Sequence, residues 1–357
     1  MGLFDLLRNR PPKLDWIQVE VTSRCNGDCI YCPRYICREE WKIRQMPVER
    51  FRILQPAFGK ADLVHLQGWG EPLLHPDIGE MIRIVKESGA KAGTTTNASC
   101  LTPDMARFLI KKGLNVIGFS LAGLSRERND SIRRGSSFDS VIQGIQNLQD
   151  AKRQLDSAYP DIHVAYMLLN SNLDELEYMP DFFAGLGVDQ VVVSSLSLVC
   201  SPELIPESIL ADSKTEWEAL VSRLERIREE ALSKGVDLQF QVVSPCAGPG
   251  QCEENITRAL VVDADGEVSP CVLANVPVSD SCPCYFNGQR LQLPKLSFGS
   301  IEEEPVGHIW RKTDYRKFRK DFYRGRMPGI CQKCYKSRVV RIGPQPTVPG
   351  YDLVEGI

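Results

Sequence analysis

The chain has 357 residues, 43% of them hydrophobic and 25% charged, with a formal net charge of −3. These proportions suit a chain with a sizeable core and exclude a disordered polymer, a collagen-like fibre and a coiled coil. The charge gives no general pull toward nucleic acid or anionic lipid, and no apolar run reaches bilayer-spanning length.

In chain order, the first ten residues, MGLFDLLRNR, lack the apolar core of a secretory signal. They also miss the myristoylation pattern, with Leu6 where Ser or Thr is needed. They read as a short helix lying on the main domain, and the protein as cytoplasmic. From residue 16 to about 196, strand-like runs alternate with helical stretches. The strands are WIQVEV (16–21), LVHLQG (63–68), AGTTTN (92–97), VIGFSL (116–121), VAYMLL (164–169) and QVVVSS (190–195). Helices are expected at 77–88, 103–112, 138–153 and 174–185, with Gly89, Gly113 and Gly187 as stops. Several runs are rich in Val and Ile with little alternation, as in strands buried on both faces. Repeated strand–helix units predict parallel strands with right-handed crossovers. Six units are too few for a closed eight-stranded barrel. The expected fold is therefore α/β, a partial (β/α)6 TIM-like barrel with its site at the carboxyl ends of the strands.

Beyond a Pro/Ser-rich connector, residues 213–234 predict an amphipathic helix, with Trp217, Leu220, Val221, Leu224 and Ile227 on one stripe and Gly235 as its stop. From 241 onward the chain is rich in Cys, Pro and Gly. Such a segment has too small a core of its own and leans on bound metal. The domain plan is an extension over 1–15, the barrel over 16–200, a helical connector over 201–240, a small Cys-rich domain over 241–340 and a tail over 341–357.

The thirteen cysteines are an odd number in a long chain, which argues against a disulfide framework. Cys25, Cys29 and Cys32 form a C-x3-C-x2-C loop directly after the first strand. Three thiolates on one short loop suit three corners of a cubane iron–sulfur cluster, leaving the fourth iron open. Zinc is the competing metal, but a structural zinc site wants four ligands, and Cys37 does not complete such a set. Cys37, Cys100 and Cys200 stand apart and read as ordinary buried cysteines.

The loop and its position resemble those of the radical S-adenosylmethionine (SAM) superfamily, and motifs at later strand ends agree over residues 16–200. Gln67-Gly68-Trp69-Gly70-Glu71-Pro72 is similar to the family's Gly-Gly-Glu-Pro turn, with Trp69 in place of a glycine. Thr94-Thr95-Thr96-Asn97 is similar to its Thr-Asn-Gly strand end. Ser120-Leu121-Ala122-Gly123 and Asn129-Asp130-Ser131-Ile132-Arg133 follow, with Ala122 and Asn129 as departures from Asp and His. The resemblance implies that Cys25, Cys29 and Cys32 hold a [4Fe-4S] cluster, and that Gly70, Glu71, Thr96, Asn97 and Ser120 contact SAM. It further implies reductive cleavage of SAM to a 5′-deoxyadenosyl radical that takes hydrogen from a substrate. An electron donor such as flavodoxin or ferredoxin is implied as partner.

A second thiol group resembles the SPASM and Twitch extensions of that superfamily. Cys252 is followed by thirteen residues, then Gly266, four residues and Cys271, and later by Cys331-Gln332-Lys333-Cys334. Cys252, Cys271, Cys331 and Cys334 make one four-thiolate site for an auxiliary [4Fe-4S] cluster, with zinc as rival. Cys246 also matches SPASM spacing. No cysteine follows Cys334, which favours one auxiliary cluster. Cys282 and Cys284 leave a second cluster, a redox pair or two structural thiols open.

Eight basic residues in Arg311–Arg326 are interleaved with aromatics, but Trp310, Phe318 and Phe322 recur at multiples of four, so the segment reads as an amphipathic helix and not a nucleic-acid surface. His65, His75, His163 and His308 lack ligand spacing and read as structural. The expected activity is that of a radical SAM oxidoreductase or rearranging enzyme acting on a small molecule. The alternatives are a maturase of a ribosomal peptide and a non-catalytic iron–sulfur or zinc protein. The first strand begins near residue 16, which leaves no room for an N-terminal peptide-recognition domain. Val272 after Cys271 disfavours sulfatase maturation, where an Asp stands.

Overall fold

A computed structural model describes residues 13–211, 213–244, 252 and 254–343. Its strands in chain order are β1 (Leu14–Val19), β2 (Asp28–Cys29), β3 (Ala61–Leu66), β4 (Lys91–Thr96), β5 (Val116–Leu121), β6 (Arg133–Arg134), β7 (Asp161–Leu168), β8 (Gln190–Ser195), β9 (Asp237–Val243), β10 (Ala259–Val262), β11 (Val268–Ser269), β12 (Ser281–Phe286), β13 (Gln289–Pro294) and β14 (Val339–Ile342). The main sheet runs β11-β10-β1-β3-β4-β5-β7-β8-β9-β14, open at both ends. The six expected strands occupy its centre, all parallel. β1, β5 and β8 are buried along their whole length, which is why they read as continuous apolar runs.

Helices cover the sheet between strands. Ile78–Glu87 turns Ile78, Met81, Ile82 and Val85 inward, and Phe138–Gln154 turns Val141, Ile145 and Leu148 inward. Pro103–Lys112 is bounded as the sequence dictates: the Thr102 hydroxyl accepts from the Met105 amide, Pro103 opens the helix, and Gly113 closes it at φ +86°. The helix expected at 174–185 is a correction. Residues Asn170–Tyr178 form 3-10 turns, and the α-helix spans Met179–Leu186. Pro180 sits in its first turn, the one place a helix tolerates the missing N–H. The long helix Lys214–Ser233 buries Leu224, Ile227 and Ala231, with Trp217, Leu220 and Val221 packed at the edge of the same core.

The Cys-rich region is built onto the barrel sheet. β10 pairs parallel with β1 at one edge and carries β11, the turn between them being made at Gly266 (φ +91°). At the other edge β9 extends β8, and β14 pairs antiparallel with β9. Arg341 and Ile342 therefore belong to a strand. Trp310 lies in the last turn of a short helix, Val306–Arg311, separate from Thr313–Tyr323, whose Tyr315, Phe318 and Phe322 are buried. Arg319 lies over the Trp310 ring at 3.6 Å, joining the two. Cys100 is half-buried rather than fully enclosed. The N-terminal helix expected at 1–10 lies outside the described residues, as does most of the tail.

Candidate functional site

The cysteine loop leaves the carboxyl end of β1 and is pinned from two sides. β2, which contains Cys29, pairs antiparallel with β6, so that Cys29 faces Arg133 in register. Gly135 (φ +75°) passes the loop closely: a Cβ there would stand 2.8 Å from the Asn26 carbonyl oxygen. From the other side, Asn97 at the end of β4 donates through Nδ2 to Asn26 Oδ1 (2.8 Å), and Asn26 donates to Ser99 Oγ (2.6 Å). The Gly27 amide points to Cys25 Sγ at 3.4 Å. Burial pushes the Cys25 thiol up to about 11 and raises Cys32 further, each also feeling Cys29. Cys25 and Cys32 are thus desolvated, and both stand within electrostatic range of Cys29.

The Gln67–Pro72 turn packs its backbone against the strand exit that feeds this loop. A Cβ on Gly70 would stand 2.4 Å from the Thr22 carbonyl oxygen and 2.5 Å from that of Arg24, so only glycine fits. The Glu71 amide donates to the Arg24 carbonyl at 2.9 Å. Its buried carboxylate accepts from Thr96 Oγ1 (2.7 Å), the Asn97 amide (2.7 Å) and the Leu73 amide (3.1 Å). Burial nevertheless holds the Glu71 carboxyl above its ordinary value. Glu71, Thr96 and Asn97 are therefore one hydrogen-bonded unit, joined through Asn26 to the thiol loop. Ser120 is buried at the end of β5, the next strand over. Asn129 turns to the Ala122 amide (3.1 Å), which makes it a clamp on the β5 exit.

Two residues had no role assigned from the sequence. Arg133 donates to the Tyr31 hydroxyl, and Tyr31 stands against Cys29. Arg133 Nε is buried without a hydrogen-bond partner, in electrostatic range of Cys25, Cys29 and Glu71. The sequence signals were the position of Tyr31 inside C-x2-C and that of Arg133 at the end of the Asn129–Arg133 run. The donor set fits the implied group: three soft ligands on one loop within electrostatic range of one another, a cation beside them with an unspent N–H, and a glycine-lined turn ending in a carboxylate.

Across the barrel mouth stand Cys252, Cys271, Cys331 and Cys334. Burial, then Glu254 and the neighbouring thiols, drive Cys252 and Cys271 well above the ordinary value, and burial with Cys334 takes Cys331 to about 12. The four named cysteines are brought together; Cys246 lies outside the described residues. Between this quartet and the first loop is a cavity of about 40 Å³, lined by Tyr31 and Trp69 from the barrel side and by Val272, Leu273, Glu254 and Lys336 from the other. Lys336 Nζ lies 3.3 Å from Glu254 Oε1, both side chains under 10% exposed. Each sits two residues beyond a cysteine of the quartet, a signal legible only once the quartet is known. A larger hollow of about 730 Å³, with Ile162 and Asp189 in its wall, opens at the amino ends of β7 and β8, away from every thiol of the site.

A buried ion network connects the two sides. Arg44 reaches Glu20 (2.7 Å) and Asp263 (2.7 Å); Glu20 accepts from the Trp69 amide (3.1 Å), and the Trp69 indole donates to the Asn275 carbonyl (3.2 Å). Trp69, the residue that departs from the glycine pattern, is the wall between the two thiol sets.

Comparison with known proteins agrees with this geometry. Residues 19–183 match the family model described as "Radical SAM superfamily", and residues 252–335 match "Iron-sulfur cluster-binding domain" (SPASM). A tungsten-containing aldehyde ferredoxin oxidoreductase cofactor-modifying protein from Pyrococcus furiosus is 27% identical over 86% of this chain and 83% of its own. An Fe-coproporphyrin III synthase from Methanosarcina barkeri is 28% identical over 86% of this chain and 75% of its own. Among solved structures, SuiB of Streptococcus suis bound to S-adenosylmethionine superposes with a TM-score of 0.63 at 16% identity, over 93% of this chain and 75% of that one.

Proposed function

The chain is a radical SAM enzyme with a C-terminal SPASM domain, and from that premise we propose that it cleaves SAM reductively and abstracts hydrogen from a small-molecule substrate, by oxidation or rearrangement. Family membership implies a [4Fe-4S] cluster and SAM at the first loop and auxiliary iron–sulfur binding in the SPASM region. When bound, the cluster and SAM supply the 5′-deoxyadenosyl radical; the protein's part is to bind, orient and exclude water.

Cys25, Cys29 and Cys32 hold three irons in this reading. Glu71, with Thr96, Asn97 and the bare Gly70 backbone, receives the ammonium end of SAM, and Ser120 borders it. Arg133 offers its unspent N–H to the carboxylate end. Cys252, Cys271, Cys331 and Cys334 hold the auxiliary cluster, and an electron donor such as flavodoxin or ferredoxin supplies electrons. The observation that carries the choice of substrate is the set of curated relatives' names, each specifying a cofactor, a porphyrin or a nucleotide. The narrow gap between the two thiol sets, lined by Tyr31, Trp69, Glu254 and Lys336, marks where such a substrate would approach. A peptide substrate has fold likenesses in its favour, since structures of SuiB and of anSMEcpe hold a precursor peptide and bound peptides respectively, at 14–16% identity.

The test is anaerobic incubation of the reconstituted chain with dithionite and SAM, reading 5′-deoxyadenosine by mass spectrometry. Absence of cleavage with iron and sulfide fully loaded overturns the activity. Small-molecule and peptide fractions of a deuterium-grown extract then separate the substrate readings. Label passing into 5′-deoxyadenosine from the small-molecule fraction supports the first, and label from the peptide fraction alone supports the second.

A further inference from the structure

The helix Thr313–Tyr323 has two opposed faces. Tyr315, Phe318 and Phe322 are buried, in the same core as Cys252, Cys271 and Cys331, and Tyr315 stands in electrostatic range of Cys271. At about 100° of turn per residue, Arg316, Lys317, Lys320 and Tyr323 fall together on the opposite side. All four are exposed, Tyr323 to 87%. Arg324 and Arg326 follow, also exposed, and the chain then runs directly into Cys331. An open hollow of about 580 Å³ lies along the face, lined by Thr313, Arg316, Lys317, Arg319 and Lys320.

Other helices of this protein neutralise their cations. Arg223 and Arg226 reach Glu177, Lys234 reaches Asp181, and Arg83 pairs with Glu80 and Glu87. Among the described residues, Arg316, Lys317, Lys320, Arg324 and Arg326 make no ion pair. The whole chain carries −3, so this is a local excess of the opposite sign. Arg316 and Lys320 stand one turn apart, a like-charge spacing that costs a helix stability until an acidic surface meets it. We propose that this face is the docking surface for an acidic one-electron carrier protein, which passes its electron to iron held by the cysteine quartet beneath. The proposal rests on the iron–sulfur reading of the quartet and not on the substrate proposed above. The reduced carrier loses one electron and the iron–sulfur centre gains it; no bond forms or breaks, and no proton moves. Opposite charge steers such an encounter and sets its rate. Nucleic acid or an anionic membrane would meet the same cations, but neither has a use for a face set over redox-active thiols. Tyr323, an aromatic ring standing among cations, is the kind of contact that protein interfaces favour.

The experiment mixes the full chain, reconstituted anaerobically and without SAM, with a strongly acidic flavodoxin and, separately, a strongly acidic ferredoxin. Stopped-flow gives the association rate and the oxidation of the reduced carrier, at low and at physiological ionic strength. The variants are R316E/K320E and, as a reference with the same change in total charge, K60E/K111E on exposed lysines elsewhere. The expected result is salt-sensitive binding of at least one carrier, slowed at least about tenfold in R316E/K320E and near the wild-type rate in K60E/K111E, with carrier oxidation slowed in parallel. Equal slowing in both variants, slowing in neither, or binding without oxidation of the carrier overturns the assignment. So does the absence of binding by both carriers, or binding of a single-stranded oligonucleotide or an anionic vesicle through the same residues in their place. Circular dichroism checks that each variant is folded, and exposed substitutions of this kind leave stability nearly unchanged. The readout needs no SAM cleavage, so it stands whatever the outcome for the proposed reaction.

Discussion

Glu71 shows how one side chain carries both stability and chemistry. Its carboxylate faces three donors in a site without water to spare, and Glu71→Gln puts an amide N–H₂ against at least one of them. We expect a loss of about 1–3 kcal/mol in urea unfolding, and at least about a tenfold weaker SAM affinity by equilibrium dialysis, each unit of 1.4 kcal/mol being tenfold. Unchanged SAM affinity would remove Glu71 from the binding site. His65 and His163 act through protons instead. Burial lowers both to about 4, so the neutral forms are the folded forms. Their contribution is complete above the unfolded value near 6.5 and is lost as pH falls toward 4, on the order of 3 kcal/mol each. Thermal midpoints of the anaerobic protein should drop over that window, and His65→Gln should flatten the drop. The structural reading of these histidines was available from their lack of ligand spacing. Their depth was not, because it depends on strands packing side by side.

At the scale of elements, Arg44 is the bolt between the Gln67–Pro72 turn and the β10–β11 hairpin. It is 7% exposed in its side chain, with Glu20 and Asp263 each at 3%. Arg44→Met leaves two buried carboxylates without their cation, and a cost of about 3–5 kcal/mol follows. Urea titration measures it; a cost below about 1 kcal/mol would mean that the network is solvated. The central strands were legible in the sequence because a doubly buried strand is a continuous apolar run, and the helix at 103–112 because its cap, proline and glycine stand at fixed offsets. The 3-10 stretch at 170–178 was not, since apolar periodicity reads turns of both kinds alike until Pro180 intervenes. Arg44, Tyr31 and the Glu254–Lys336 pair escaped for a different reason. Each matters through a partner distant in the chain or through a cavity wall, and periodicity carries no information about either.

For the molecule as a whole, the cysteine spacings disclosed the chemistry while concealing how the Cys-rich region is attached. Residues after Cys334 run straight through Tyr335–Arg338 into β14, so the quartet anchors the strand that finishes one sheet edge. Cys331→Ala/Cys334→Ala should lower the thermal midpoint by several degrees, a loss of about 1–2 kcal/mol in a chain of this size. It should also raise amide exchange in β14 and β9 ahead of β4 and β5. Uniform exchange across the sheet would show that the quartet does not hold that edge.

The clasping of both edges by one metal-dependent region has a consequence for handling. If air destroys the thiol-held clusters and the clasp loosens, β1 and β9 become bare, apolar strand borders, which are templates for pairing with other chains. Oxidative inactivation should therefore be accompanied by light scattering from aggregates, and a preparation that stays clear after bleaching would keep its clasp without iron.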